Sequence, residues 1–109
     1  MGELFGLLVR FSVKPGAGAA FDELTAETVE QIRTREPGTL LYAVHRVPDE
    51  PQARLFYEVY RDRAAFEAHE AQPHTQRFLA ERERYVAGFD VTFTTLLIAK
   101  GVVDPDQTT

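Results

Sequence analysis

Two histidines five positions apart, His69 and His74, are the side chains in this sequence best suited to proton transfer. An imidazole changes charge near neutral pH, so it can take a proton from a phenol or an activated methylene group. His69 lies one helical turn after Phe66, and His74 follows Pro73 at an expected helix start. Each histidine also has a structural interpretation, His69 as a cap or a structural hydrogen-bonding residue and His74 as a helix cap.

The segment that contains both histidines, HEAQPH, invites comparison with the zinc-binding H-E-x-x-H helix. That motif needs histidines four residues apart on one continuous helix, so that both reach the same ion. Here the spacing is five, which is about 140° off-register on an ideal helix, and Pro73 interrupts the segment. We therefore expect no metal site.

Glu58 is a carboxylate in the middle of an otherwise apolar segment. Because burying a lone carboxylate is costly, it should be exposed, paired or tuned for proton transfer. Phe56, Glu58 and Tyr60 share one face of a strand, and if that face meets the helices, Glu58 and Tyr60 reach a pocket. The alternative is a salt bridge across the sheet from Glu58 to Arg10 or Arg46. We favour the pair with Arg10, which could instead neutralise an anionic substrate.

The remaining candidates are weaker. Tyr42 and Tyr60 could line an aromatic pocket and hydrogen-bond a substrate oxygen, although strand tyrosines are more often plain core. His45 has no obvious partner and is expected at the surface or in an interface. The segment Gly16-Ala17-Gly18 lacks both the third glycine of a dinucleotide fingerprint and a P-loop lysine, so it is interpreted as a turn.

Strands and one long helix must position these side chains. Apolar runs bounded by turn residues predict strands over residues 3–13, 40–47, 55–60 and 90–100. Helical spacing predicts a first helix over residues 17–35, ended by Pro37-Gly38. Its buried face is expected to contain Phe21, Leu24, Thr28 and Ile32.

The second helical region is predicted in two pieces. Asp62 is a plausible N-cap for a helix from Arg63 to about Gln72. Pro73 fits the first turn of a second piece that runs to about Val86, with Gly88 at its end.

The resulting order, β-α-β-β-α-β, predicts an α+β fold of the ferredoxin-like type, with a four-stranded antiparallel sheet and helices on one face. We assign residues 1–103 to this domain and residues 104–109 to a disordered tail. The first and last strands are apolar at nearly every position, which indicates that both sheet faces are buried. Since one monomer offers a single helical layer, we expect a homodimer through the sheet faces.

Composition excludes several classes of function. The 109 residues allow one domain, and a net charge of −5 argues against nucleic acid or an anionic membrane as partner. The absence of cysteine excludes disulfides and thiolate chemistry. With no signal-like N-terminus and no apolar run long enough for a membrane span, the expected compartment is the cytoplasm.

The central half of the sequence resembles the antibiotic biosynthesis monooxygenase family. The residues that carry the resemblance are Glu36-Pro37-Gly38, Leu41-Tyr42, Phe56-Tyr57-Glu58-Val59-Tyr60, Asp62, Ala65-Phe66, His69, Pro73-His74 and Phe78. The resemblance implies a dimeric α+β barrel in which two sheets face each other and a pocket lies between each sheet and its own helices. It also implies oxygenase chemistry on hydroquinones or anthrone-type polyketides without metal or flavin, so no cofactor is expected.

The sequence departs from two branches of that family. The polyketide oxidisers are associated with an asparagine and a tryptophan in the pocket, and this chain contains neither, with Tyr60 at what looks like the tryptophan position. The haem-degrading branch has an asparagine that would fall near Val9 and an axial histidine near Leu79. Haem is therefore not expected.

The leading hypothesis is a cofactor-independent monooxygenase that acts on a small aromatic or quinol-like substrate. His69 would be the base, with Glu58 and His74 as further catalytic residues. The residues assigned to substrate binding are Tyr60, Tyr42, Phe66, Phe78 and Arg10. Two alternatives remain open: an oxygen-independent isomerase-type enzyme on a small metabolite, and a non-catalytic dimeric module that binds a small ligand.

Overall fold

The computed structural model describes residues 3–101. Its elements in chain order are β1 (Phe5–Val13), α1 (Gly18–Arg35), β2 (Thr39–Val47), β3 (Glu50–Tyr60), α2 (Arg63–Ala71), α3 (Pro73–Glu81), a 3₁₀ turn (Arg82–Arg84) and β4 (Val86–Thr95). The predicted ferredoxin-like order is confirmed. The predicted tail, residues 104–109, lies outside the described residues.

The sheet has the strand order β2-β3-β1-β4, and every neighbouring pair is antiparallel. Alternate residues of β1 (Leu7, Val9, Phe11 and Val13) are buried and form the sheet side of the core. Phe11 contacts Phe21 of α1 and Phe78 of α3, with ring centroids 5.3 and 6.3 Å apart. The helices therefore cover the same face of the sheet, as the sequence predicted.

Helix α1 buries the face that its spacing predicts. Phe21, Leu24, Thr28 and Ile32 are all buried, together with Thr25. The hydroxyls of Thr25 and Thr28 donate to the carbonyls four residues earlier, so their burial leaves no polar group unpaired. The helix ends at Arg35, directly before Glu36-Pro37.

The two pieces of the second helical region are confirmed. The Asp62 carboxylate accepts a hydrogen bond from the Ala65 amide at 2.8 Å, which caps α2. The break falls at Gln72, whose extended backbone ends α2 and precedes Pro73 in the first turn of α3. Because of this break, His69 and His74 lie on two different helices.

Strand β3 begins at Glu50, earlier than predicted, and Pro48-Asp49 alone forms the turn of the β2–β3 hairpin. The first residues of β3 are mostly polar, so the sequence pattern did not indicate a strand there. Arg54 is held there by Asp22 of α1, with Nε–Oδ1 and Nη2–Oδ2 distances of 2.7 and 3.0 Å. This long-range ion pair allows an arginine to occupy a buried strand position.

The boundary between α3 and β4 was predicted wrongly. The helix ends at Glu81, Gly88 lies within β4, and β4 ends at Thr95. Spacing favoured a helix to Val86, but the free edge of β1 pairs with these residues, with Val13 opposite Val86 and Phe11 opposite Phe89. Strand pairing therefore overrides the local helical pattern.

The sequence predicted that apolar residues of β4 are buried on both faces of the sheet, and the structure shows a different arrangement. Phe89, Val91 and Phe93 pair with the buried face of β1, on the helix side of the sheet, where they remain largely exposed. The alternate residues, among them Asp90 and Thr92, are polar or small and face the other way. The composition of β4 thus gives no support to a dimer through the sheet faces, which stays a prediction.

Among the helices of residues 3–101, none is both long enough and apolar enough to cross a bilayer.

Candidate functional site

A cavity of about 210 Å³ lies between the helix-covered face of the sheet and helices α1, α2 and α3. Its walls are predominantly aromatic and aliphatic, and the exposed β4 side chains form its open side. The lining residues with polar groups are Thr28, Tyr42, Glu58, His69, Glu70, Thr75 and Arg82. An apolar pocket with a few converging polar groups is typical of a small-molecule site.

His69 is the buried base candidate of this cavity. It is 6% exposed, and its ring lies beside those of Tyr60, Tyr42 and Phe66, with centroids 5.3, 5.7 and 6.4 Å away. Its Nδ1 lies 2.8 Å from Oε1 of Glu36, at the junction between α1 and β2. Contacts with the three aromatic rings and the hydrogen bond to Glu36 together fix the orientation of the imidazole.

The hydrogen bond to Glu36 determines which nitrogen of His69 is available. An ionised carboxylate can only accept, so Nδ1 carries the proton and donates it to Oε1. In residues 3–101, Nε2 of His69 has no hydrogen-bond partner. His69 lines the cavity and has an unpaired Nε2 lone pair, the arrangement in which a carboxylate orients a histidine base.

Glu36 is the centre of a three-residue cluster. Its Oε1 also accepts from the Thr39 hydroxyl at 2.7 Å, and its Oε2 accepts from Nε2 of His74. Burial by itself would raise the pKa of Glu36, but the hydrogen bonds from His69, Thr39 and His74 outweigh it and lower the pKa below its usual value. Glu36 is thus held as a carboxylate although it is buried.

His74 approaches Glu36 from the outer side. It does not line the cavity; it lines a separate surface groove between α1 and α3, beside Arg35 and Arg77. Nε2 of His74 contacts Oε2 of Glu36 from this outer side, while Nδ1 of His69 contacts Oε1. The assignment of His74 as a catalytic residue that touches substrate therefore needs correction: its position makes it a positioning residue for Glu36.

This cluster is not arranged as a metal site. In the described part of the chain, no group of three or more histidine and acidic side chains could hold a metal ion. The histidine nitrogens instead make direct hydrogen bonds to the two oxygens of Glu36.

Glu58 faces the cavity from the centre of the sheet. In register it lies between Leu7 of β1 and Tyr42 of β2, and it is 4% exposed. The Tyr60 hydroxyl donates to its Oε1 at 2.6 Å. Burial raises the pKa of Glu58 above its usual value, and the interactions with Tyr60, His69 and Tyr42 offset this only in part. The carboxyl is therefore biased toward its neutral form.

Of the residues predicted to bind substrate, Tyr42, Phe66 and Phe78 line the cavity. Tyr60 is fully buried behind Glu58 and does not line it; burial and the Glu58 carboxylate raise the pKa of the Tyr60 hydroxyl far above its usual value, so it stays a donor. His45 is exposed, as expected.

The prediction for Arg10 is wrong. Its Nη2 lies 2.7 Å from Oε1 of Glu50, and no ion pair forms with Glu58. Arg10 pairs in register with Leu55 and Asp90 and alternates with the buried residues of β1, so it projects from the face of the sheet opposite the cavity.

Two residues of the site were missed by sequence reasoning. Glu36 entered the sequence analysis only as part of the Glu36-Pro37-Gly38 motif, and its position directly before a proline that ends a helix was the available signal. Arg82 was not singled out as a candidate, and it lies in the 3₁₀ turn and lines the cavity. No local pattern indicates either role, because both depend on chain segments distant in sequence.

Comparison with known proteins identifies the family. The model of the antibiotic biosynthesis monooxygenase family matches residues 4–81, which include β1, all three helices and the cluster around Glu36. The chain belongs to this family. Proteins of the antibiotic biosynthesis monooxygenase family commonly bind small ligands and form dimers, and membership supports a general monooxygenase-like role for this chain.

Solved structures agree with the fold of this antibiotic biosynthesis monooxygenase family member. A protein of Shewanella oneidensis is 28% identical with a TM-score of 0.82, covering 89% of this chain and 94% of that one. A candidate antibiotic biosynthesis monooxygenase of Nitrosomonas europaea is 26% identical with a TM-score of 0.83, covering 93% and 97%. A protein of Pseudomonas aeruginosa, 24% identical with a TM-score of 0.82, covers 90% and 98% and matches in fold.

A curated relative is an uncharacterised protein of Synechocystis, 34% identical over 67 residues. The match covers 62% of this chain and 45% of the relative, so the chain spans less than half the length of that protein.

Proposed function

We propose that this protein is a cofactor-independent monooxygenase that oxidises a small hydroquinone-type or related aromatic substrate with O₂. The observation that carries the proposal is the unpaired Nε2 of His69 at the wall of an aromatic cavity, with Nδ1 held by the buried Glu36 carboxylate. The monooxygenase-like role of the family supplies the reaction class. Acting as a homodimer in the cytoplasm is part of the same proposal.

The first step is proton removal. Nε2 of His69 takes the proton of a substrate hydroxyl or activated methylene, and the imidazolium that forms is stabilised by Glu36 across the Nδ1–Oε1 hydrogen bond. The low pKa of Glu36 matters here because a carboxylate that stays ionised can stabilise the positive charge without taking the proton itself. Base and orienting carboxylate thus work as one unit.

The second step is electron transfer from the deprotonated substrate to O₂. A phenolate or carbanion is electron-rich, so it can give an electron to O₂ directly once the proton is gone. The substrate radical and superoxide then join through a new C–O bond, and the His69 imidazolium returns its proton to the peroxide. Loss of water breaks the O–O bond, so one oxygen atom stays in the quinone product and the other leaves as water. The aromatic walls, Phe56, Phe66 and Phe78 among them, hold the substrate plane and exclude water. Glu58 in its neutral form can donate a hydrogen bond to a substrate oxygen.

The size of the cavity favours a compact substrate. Drug-sized ligand pockets begin at about 300 Å³, and this cavity is about 210 Å³. One or two fused rings therefore fit better than the three rings of an anthrone, unless substrate extends past the exposed side chains of β4.

A second candidate is an oxygen-independent isomerase-type enzyme. Glu58 is the specific observation in its favour: a carboxyl with a raised pKa on the sheet faces the same cavity as a histidine base on α2. An acid and a base at one cavity could move a proton between two positions of a small metabolite. In this case the same residues act, and O₂ takes no part.

The experiment that separates the two is conversion of a panel of benzo- and naphthohydroquinones by the wild-type protein in air and under argon. Faster product formation than the uncatalysed rate in air, with consumption of O₂ and none under argon, supports the monooxygenase. Enzyme-dependent conversion that is equal in air and argon supports the isomerase and contradicts the monooxygenase.

A further inference from the structure

Arg82 places a positive charge at the aromatic cavity. It lies in the 3₁₀ turn after α3, and its side chain lines the cavity. The guanidinium carbon is 4.4 Å from the centre of the Phe89 ring and 5.7 Å from that of Phe11. Both rings belong to the cavity wall, so cation–π contacts hold the guanidinium at that wall.

No carboxylate forms an ion pair with Arg82 within the described residues, although Glu83 lies near enough to act on its charge. Arg54 is paired with Asp22, and Arg10 with Glu50. Within residues 3–101, Arg82 makes ring contacts but no ion pair. Burial lowers the pKa of Arg82, which reflects the loss of water around a cation that no neighbouring acid compensates fully.

The N–H donors of Arg82 make no hydrogen bond within residues 3–101. They lie in the plane of the guanidinium and point outward from its edge, where two parallel N–H groups match the two oxygens of a carboxylate. Two acidic residues also line the cavity, Glu58 on the sheet and Glu70 on α2. Neither forms an ion pair with Arg82, and Glu58 is biased toward its neutral form.

We propose that the cavity contains an anion-binding subsite at Arg82 and that its ligands are planar aromatic compounds bearing a carboxylate. The aromatic part lies among the phenylalanine side chains, and the carboxylate accepts hydrogen bonds from the guanidinium edge. The proposed subsite specifies the substrate class of the same cavity. It rests on the proposed function only because both use this cavity.

The test compares two ligands with the same ring system and similar size, 2-naphthoate and 2-naphthalenemethanol, by isothermal titration calorimetry at pH 7.5. Only the first is charged, and neither is a hydroquinone, so binding is measured without turnover. Wild type should bind 2-naphthoate more tightly by roughly ten- to a hundredfold, the range for a hydrogen bond to a charged group. In Arg82→Gln this preference should disappear, while Arg82→Lys should keep part of it.

Arg84→Gln is the matched control, because Arg84 is exposed, lies two residues away and does not line the cavity. It should bind both ligands as wild type does. Equal binding of the two ligands to wild type, retention of the preference in Arg82→Gln, or failure of both ligands to bind at millimolar concentration would each overturn the proposal. A negative result in oxygen uptake would leave this measurement intact, so the two proposals fail separately.

Discussion

Nδ1 of His69 lies 2.8 Å from Oε1 of Glu36, although 33 residues separate them in the chain. The hydrogen bond joins helix α2 to the turn between α1 and β2, and both side chains are buried. It fixes the tautomer of His69 and leaves Nε2 as the free nitrogen at the cavity. The proposed chemistry depends on this contact.

Replacing the carboxylate should remove activity while keeping the fold. Glutamine in Glu36→Gln has the same shape but no negative charge to stabilise the His69 imidazolium. We expect kcat on the best hydroquinone to fall by about 10²- to 10⁴-fold, the contribution of general base catalysis, with KM little changed. Steady-state kinetics and circular dichroism measure the two effects. Glu27→Gln, at an exposed carboxylate on α1, is the control and should keep wild-type kcat.

Gly38 should be intolerant of a side chain. A Cβ at this position would lie 2.7 Å from Cβ of Ala65 on α2, a backbone-anchored atom that cannot rotate away. Gly38→Ala should therefore push α2 from the Glu36 turn and lower the free energy of unfolding by about 1–3 kcal/mol. Urea denaturation measures the change.

Gly88→Ala is the matched control for Gly38→Ala, since a Cβ there meets no atom within 4 Å. Its free energy of unfolding should stay at or slightly above that of wild type, because alanine restricts the unfolded chain. Equal effects of the two substitutions would contradict the close approach of α2 to this turn.

The pH dependence of the free energy of unfolding should show the titration of Glu58. Because burial raises the folded-state pKa of Glu58 above its usual 4.5, the neutral carboxyl contributes stability that is complete below pH 4.5 and lost as the pH rises through the folded-state pKa. In Glu58→Gln this titration is absent. The difference in unfolding free energy, wild type minus variant, should therefore fall as the pH rises from 4.5.

Chemical denaturation of wild type and Glu58→Gln at a series of pH values measures this difference. Glu67→Gln, at an exposed carboxylate of α2, should give no comparable trend. A difference between wild type and Glu58→Gln that stays constant or grows with pH would mean that Glu58 is ionised without penalty in the folded protein.

The buried and the exposed parts of the cavity wall should differ in a pair of phenylalanine substitutions. Phe11 is 2% exposed and contacts the rings of Phe21, Phe56 and Phe78, so Phe11→Ala should cost about 3–5 kcal/mol of unfolding free energy. Phe93 is 61% exposed at the open side, so Phe93→Ala should change stability by less than about 1 kcal/mol. Thermal and urea unfolding check both. Similar losses would place Phe93 in the core instead of at the cavity mouth.

The sequence predicted the fold well where local patterns agree with the final packing. The spacing of Phe21, Leu24 and Ile32 predicts the buried face of α1, and Asp62 and Pro73 mark the starts of α2 and α3. At β4 the local pattern fails, because pairing with the edge of β1 outweighs helical spacing. Strand partners are distant in sequence, so no window of residues contains that information.

The site residues were also predicted where local sequence features reveal them and missed where their roles depend on distant contacts. Glu58 was identifiable because a carboxylate within an apolar segment is unusual. His69 was identifiable because an imidazole is suited to proton transfer and lies one turn after Phe66. Their partners were not identifiable, since Glu36 and Arg82 acquire their roles from contacts made across the fold. The predicted ion pair between Glu58 and Arg10 was wrong, because strand alternation alone does not say which face of β1 meets the helices.

Oxygen uptake with the hydroquinone panel, comparing wild type with His69→Gln, tests the central claim most directly. His45→Gln, at an exposed histidine of β2, serves as the control. The account predicts uptake above the uncatalysed rate in wild type and in His45→Gln, and a fall of about 10²-fold or more in His69→Gln. Uptake that survives in His69→Gln would contradict the assignment of His69 as the base.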